Sequence, residues 1–296
     1  MAETSAVVET FTASDGYRWH YRRYEPSGPA RAHVVCLHGI QSHGGWYGHS
    51  CAALAEAGFR VSFLDRRGSG LNQQDRGDTP SFRRLLDDIA EYLHHLRGPE
   101  VQPSVGLALP AVRSTTPVFL MAVSWGGKLA AALPNRHPGL IDGLLLLCPG
   151  LFPQVAPSWG SRLGICAARL TNPRRPFPIP LNDPELFTAV PRWQEFIRTD
   201  PLALHQATAR LLIESVRLDI YLRRCPKSVT MPLLLVLAGK DRIIANGPTR
   251  AFAERCATPV REVIEYPEAH HTLEFEPDPE RWLGDVRRWL LERVAK

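Results

Sequence analysis

Short apolar runs alternate along the chain with longer stretches whose apolar positions recur every three to four residues. Continuous runs of strand length suit strands buried on both faces, and the longer period suits helices with one buried face. Strands are predicted at positions 32–37, 60–64, 117–123, 143–148 and 232–238, with a shorter last one at 261–266. A helix near 50–57 fits between the first two, with Gly58 at its end, where a left-handed residue commonly stops a helix. Thr79-Pro80 is expected to open the next helix, which carries Leu85, Leu86, Ile89, Tyr92, Leu93 and Leu96 on one face. Asp278-Pro279 opens the last, with Trp282, Val286, Trp289, Leu290 and Val294. Strands and helices in this alternation form βαβ units, so the expected fold class is α/β with a mostly parallel sheet flanked by helices.

Two segments break the rhythm. Positions 98–116 are Pro-rich and aperiodic, which predicts a surface loop. Positions 152–228 lack a strand pattern and hold helical stretches punctuated by Pro; the clearest is expected to begin at Asp200-Pro201, with Leu204, Thr208, Leu211, Ser215, Leu218 and Leu222 on one face. The chain therefore divides into a core of 1–151 and 229–296 and a helical cap, 152–228, inserted between two sheet strands. A length of 296 residues accommodates one α/β domain with an insertion as readily as two average domains.

Composition adds little until it is located. Hydrophobic and charged fractions of 44% and 22% are ordinary for a globular chain with a large core. No run of 18 apolar residues spans a bilayer, and the N-terminus lacks a basic start and apolar stretch. Six scattered Cys without a C-x-x-C pair, two of them inside apolar runs, suggest reduced thiols, so a cytoplasmic location is expected. The net charge of +5 is more telling. Positions 152–228 hold eleven Arg/Lys against six Asp/Glu, so the rest of the chain is balanced and the excess belongs to the cap. A solvated basic face accounts for this, as does attraction to anionic lipid. Nucleic acid is a poor candidate partner, because the Arg residues are scattered without a known binding module.

Candidate chemistry centres on Ser124 in M-A-V-S-W-G-G, between the predicted strand at 117–123 and a small-residue helical start. A hydroxyl on a sharp strand-to-helix turn is a nucleophile elbow, which needs small residues two positions to either side. Gly126 meets that need, and Ala122 replaces the usual Gly with one extra methyl. A serine hydroxyl needs a base, and the base needs an acid to fix its tautomer. In parallel sheets such groups gather beyond the carboxyl ends of the strands. Asp241 lies there, Asp142 lies at the wrong end of its strand, and Asp65 sits in Gly-rich surroundings that suit a turn. His270 and His271 both follow the last strand, and adjacent residues cannot both face one serine, so spacing leaves the base open between them. The other nine histidines lack this placement, and no Cys/His grouping reads as a metal site. For the oxyanion of an acyl-transfer intermediate, two backbone N–H groups offer themselves: that of Trp125 after the nucleophile, and that of Ile40 after the His38-Gly39 turn.

The chain resembles an α/β-hydrolase, and within that fold the monoacylglycerol lipase/lysophospholipase group of serine hydrolases. The matching pieces are L-H-G-I at 37–40, D-R-R-G-S-G at 65–70, V-S-W-G-G at 123–127, A-G-K-D at 238–241 and A-H-H-T-L-E-F-E at 269–276. They cover the chain from about position 11 to its C-terminus and are weakest in the cap. The resemblance implies the order Ser124, Asp241, His271. It selects His271 because Ala269, His271, Leu273 and Glu276 match the group's A-x-H-x-L-x-x-E, and it implies that His43 braces the oxyanion loop. It further implies carboxylic-ester hydrolysis through an acyl-enzyme, without metal or cofactor, on a small or lipid ester; the cap's positive charge adds the expectation of peripheral contact with anionic lipid. Phe187, Trp193 and Phe196 of the cap pack together or shelter an acyl chain. An aminopeptidase would share the triad but hold the substrate amine with cap carboxylates. Thioesterase and perhydrolase chemistry use the same residues, and a non-catalytic ligand-binding relative would not need all three. Ser124 at the elbow speaks against dehalogenases and epoxide hydrolases, which place Asp there.

Overall fold

The computed structural model describes residues 6–98 and 116–295, so 99–115 of the expected loop lie outside the described residues. The chain runs β1(Val7–Thr12), β2(Arg18–Tyr24), β3(His33–Leu37), α1(Gly48–Glu56), β4(Arg60–Leu64), α2(Phe82–Arg97), β5(Val118–Val123), α3(Gly126–Arg136) and β6(Gly143–Leu147). It continues through α4(Trp159–Thr171), β7(Pro176–Pro178), α5(Pro191–Thr199), β8(Gln206–Thr208) and α6(Ala209–Leu222). It ends with β9(Leu233–Ala238), α7(Asn246–Glu254), β10(Arg261–Tyr266) and α8(Glu280–Val294).

Eight strands form one sheet in the order β1-β2-β4-β3-β5-β6-β9-β10. Every pairing from β4 to β10 is parallel, and only β1–β2 and β2–β4 are antiparallel. The predicted strands all form, within a residue of their expected ends. The reason is burial: each residue of β3, β5, β6 and β9 is buried, which only a strand covered on both faces allows. The antiparallel β1–β2 ribbon was not among the predicted elements. Its signal is the weaker alternation of a partly exposed edge, with Trp19 and Tyr21 buried on one face of β2 and Tyr24 on the other.

Two helix starts differ from expectation. The helix expected at Thr79-Pro80 begins at Phe82, because Ser81 is extended and its hydroxyl accepts from Arg84 N–H at 3.1 Å. The helix expected from Asp200 begins only at Ala209, where Thr208 accepts from Leu211 N–H at 3.1 Å. Asp200 forms a turn instead, its carboxylate accepting from Leu202 N–H at 2.9 Å.

The segment between β6 and β9 holds two three-residue strands besides its helices. Leu211, Leu218 and Leu222 of α6 join the main core, and Lys128 of α3 pairs with Asp219 of α6 at 2.6 Å. Leu204 N–H donates to Gln41 O at 2.8 Å, which ties this segment to the turn after β3. All six cysteines are free thiols, and only Cys166 is exposed. Among the described residues no helix is long and apolar enough to cross a membrane.

Candidate active site

The carboxyl ends of β3, β5, β9 and β10 meet at one rim of the sheet, and the loops that leave them bring the candidate side chains together. Ser124 follows β5 with φ of +52°, a left-handed conformation that a non-glycine residue adopts at a cost. Its backbone is held on both sides: Ser124 N–H donates to Leu147 O at 3.1 Å, while Ser124 O accepts from Gly127 N–H and Gly150 N–H at 2.8 and 2.6 Å. A Cβ on Gly126 would lie 2.6 Å from His38 O, so only glycine lets α3 approach the turn after β3 this closely. Ala122 takes the place of the second small residue on the strand side. It is fully buried in β5, in register with Leu37 of β3 and Leu146 of β6.

His271 lies on the loop after β10 and is almost wholly buried, with its ring Nε2 2.8 Å from Ser124 Oγ and Nδ1 2.7 Å from Asp241 Oδ2. A carboxylate only accepts, so Nδ1 carries the proton and Nε2 is left to accept the hydroxyl's. Asp241 follows β9, and its second oxygen, Oδ1, accepts from Ile243 and Ile244 N–H at 2.8 and 2.9 Å. The β9 and β10 loops interlock to hold this pair. Gly239 N–H donates to Tyr266 O, Lys240 N–H to Ala269 O, and a Cβ on Gly239 would come within 2.3 Å of Pro267 O.

The neighbouring candidates are engaged elsewhere. Glu276 accepts from His270 N–H at 2.9 Å and pairs with its ring Nδ1 at 3.1 Å, which takes His270 out of contention for Ser124. Asp65 accepts from Gly44 and Leu71 N–H and pairs with Arg22, the turn-holding arrangement its surroundings suggested. Asp142 sits at the opposite end of the sheet, accepting from Val118 N–H at 2.7 Å. Among the described residues no group of three or more His, Cys, Asp and Glu is placed to hold a metal ion.

The turn after β3 lies against the serine: a Cβ on Gly39 would stand 3.2 Å from Ser124 Cβ. Ile40 and Trp125 N–H have no protein acceptor among the described residues, so both are free to donate to a bound oxyanion. The turn is held from below. His38 accepts Arg66 N–H at its Nε2, 2.8 Å away, so its Nδ1–H donates to Gly39 O at 2.7 Å. Burial and the Arg66 charge hold the His38 imidazole well below its ordinary pKa, and it stays neutral. Gly39 N–H donates to Ser42 Oγ, which meets Tyr47 Oη at 3.1 Å.

His43 bridges this turn to the segment between β6 and β9. Its Nδ1 accepts from Gly45 N–H and its Nε2–H donates to Asp200 at 2.9 Å. Asp200 also accepts from the Trp46 indole at 2.6 Å. Burial alone would raise the Asp200 carboxyl, but the donors from His43, Trp46 and Leu202 outweigh it and hold the pKa at about 2. Phe187 reaches the site, its ring 6.0 Å from that of His271, whereas Trp193 stacks on Phe275 and Phe196 packs on Trp46. Neither Asp200, read in the sequence as a helix start, nor Arg66 was singled out there as a site residue. Asp200 lies 157 positions from His43 in a segment without a motif, and Arg66 stood in D-R-R-G-S-G beside the more conspicuous Asp65 and glycines.

Comparison with known proteins bears on the family and the fold. The profile of the family described as serine aminopeptidase, S33, matches residues 28–278. A monoacylglycerol lipase of Mycolicibacterium smegmatis is 25% identical over 99% of this chain and its own full length. Two solved structures share the fold. The monoacylglycerol lipase of Paleococcus ferrophilus superposes with a TM-score of 0.79 at 22% identity, covering 96% of this chain and 99% of its own. A soluble variant of the monoglyceride lipase of Saccharomyces cerevisiae, in complex with a substrate analogue, superposes with 0.81 at 16% identity, covering 99% and 98%.

Proposed function

Because the chain belongs to the serine aminopeptidase S33 family of α/β-hydrolases, we propose that it is a monoacylglycerol lipase-like serine hydrolase that cleaves carboxylic esters through an acyl-enzyme. The observation that carries this reading is the unbroken hydrogen-bonded line from Ser124 Oγ through the His271 ring to Asp241. His271 Nε2 takes the hydroxyl proton as Ser124 Oγ attacks the ester carbonyl, and Asp241 stabilises the imidazolium that forms. Ile40 and Trp125 N–H receive the oxyanion, which gathers charge only as the transition state is approached. His271 then delivers the proton to the leaving alcohol and activates the water that releases the acid. His38, Gly39, His43 and Gly126 support the site by fixing its backbone.

The family's description names a peptidase, and one feature separates the readings. An aminopeptidase needs a carboxylate free to hold the substrate's amine. The buried carboxylates between β6 and β9 are taken, Asp200 by His43 and Trp46 and Glu214 by Phe82 N–H and Arg217, and the half-buried Asp219 is held by Lys128. That favours an ester.

Residues 152–228 act in this reading as a cap over the site and as its contact with lipid. α4 exposes Trp159, Leu163 and Leu170 and α6 exposes Val216 and Ile220, flanked by Arg162 and Arg217. An apolar stripe edged with Arg suits an anionic lipid surface. The test is a substrate panel: p-nitrophenyl esters from short to long acyl chains, monoacylglycerols, lysophospholipids and aminoacyl p-nitroanilides. Esters should be hydrolysed and anilides left intact, and monoacylglycerol turnover on anionic vesicles should fall several-fold between low and high salt. Cleavage of the anilides alone contradicts the ester reading, and a flat salt response contradicts the charged contact.

A further inference from the structure

Arg66 is a part-buried cation without a carboxylate partner among the described residues, an arrangement that costs stability and so calls for a reason. Its acidic neighbour, Asp65, is occupied by Arg22 and by two backbone N–H groups. The guanidinium is spent on backbone instead. Its Nη1 donates to Gly39 O at 3.2 Å and its Nη2 to Ile40 O at 3.1 Å, while its Cζ lies over the Trp125 ring, 4.7 Å from the ring centre. One side chain therefore touches both residues that would supply the oxyanion donors.

The consequence follows from peptide geometry. In a trans peptide the C=O and N–H point in opposite directions, so fixing one fixes the other. Gly39 O and Ile40 N–H belong to the same peptide. Arg66 and the His38 ring both donate to Gly39 O, which turns Ile40 N–H away from them. Two donors on the carbonyl, one of them charged, also polarise the amide and make its N–H a stronger donor. We infer that Arg66 is a positioning residue for the oxyanion site: it aims and polarises the Gly39–Ile40 peptide, and its charge stabilises the tetrahedral intermediate without touching substrate. The inference rests on the ester-hydrolase reading.

A residue with this role affects the transition state and leaves substrate binding alone. Arg66→Met removes both contacts and the charge; Arg66→Lys keeps the charge but cannot grip two carbonyls in a fork. With a p-nitrophenyl ester, the Met variant should lose about 10²–10³-fold in kcat, the loss that follows removal of an oxyanion donor, with KM changed less than about threefold. The Lys variant should fall between it and the parent. Affinity for a trifluoromethyl ketone, whose hemiketal mimics the intermediate, should drop in step with kcat across the series. Should the Met variant fail to fold, the Lys variant decides the matter on the same two readouts. A folded Arg66→Lys protein with parental kcat, or one whose loss lies wholly in KM, overturns the inference. Ser124→Ala measured alongside separates the two levels: activity surviving there contradicts the hydrolase reading itself, whereas its loss beside an unimpaired Arg66 series contradicts only the role of Arg66.

Discussion

His271→Ala should lower kcat for ester hydrolysis by about 10⁴–10⁶-fold, as removal of the base in a serine triad does, whereas His270→Ala should stay within a few-fold of the parent. The two rings are adjacent in sequence and differ in what they touch. His271 is buried between Ser124 Oγ and Asp241, each within 2.8 Å. His270 engages Glu276 through both its backbone N–H and its ring, so its removal costs loop stability and no proton transfer. Steady-state kinetics on the two variants, with melting temperatures to confirm that both fold, make the comparison. Equal losses in the two would mean that the loop, and not one imidazole, is what matters.

Asp241→Asn should lower kcat by about 10⁴-fold while leaving the fold intact. The carboxylate's Oδ1 accepts from Ile243 and Ile244 N–H, so in the variant the amide oxygen must occupy that side. The amide NH₂ then faces His271 Nδ1, which must accept and cannot donate. The ring's proton moves to Nε2, where it blocks removal of the Ser124 proton. The loss is thus one of tautomer, and it should appear in kcat with KM nearly unchanged. A loss confined to KM would place Asp241 in substrate binding.

Much of the frame was legible in the sequence, for a physical reason. Strands buried on both faces must be mostly apolar, and that pattern identified β3, β5, β6 and β9, while the partly exposed β10 showed only as a shorter last run. The β1–β2 ribbon escaped because an edge strand with one solvated face leaves only a short alternation. Both misplaced helix starts share one cause. Thr79-Pro80 and Asp200-Pro201 look like caps, but a helix begins where a side chain satisfies its first free N–H groups, and Ser81 and Thr208 do that. The Ser124 turn was readable because strain, small neighbours and a following helix leave a local signature. His271 could not be separated from His270 by spacing, and it took the resemblance to a known family to choose between them; the physical difference is the grip of Glu276. The supports of the site are contacts across long stretches of chain, from Arg66 to Gly39 and from Asp200 to His43, which no local pattern encodes.

The central claim is that the Ser124 hydroxyl is the nucleophile. Incubation with a fluorophosphonate, followed by intact mass and peptide mapping, tests it directly. One adduct on the peptide carrying Ser124 is expected, absent from Ser124→Ala and formed far more slowly by His271→Ala. A folded parental protein that takes no adduct, or takes it on another residue, would contradict the claim.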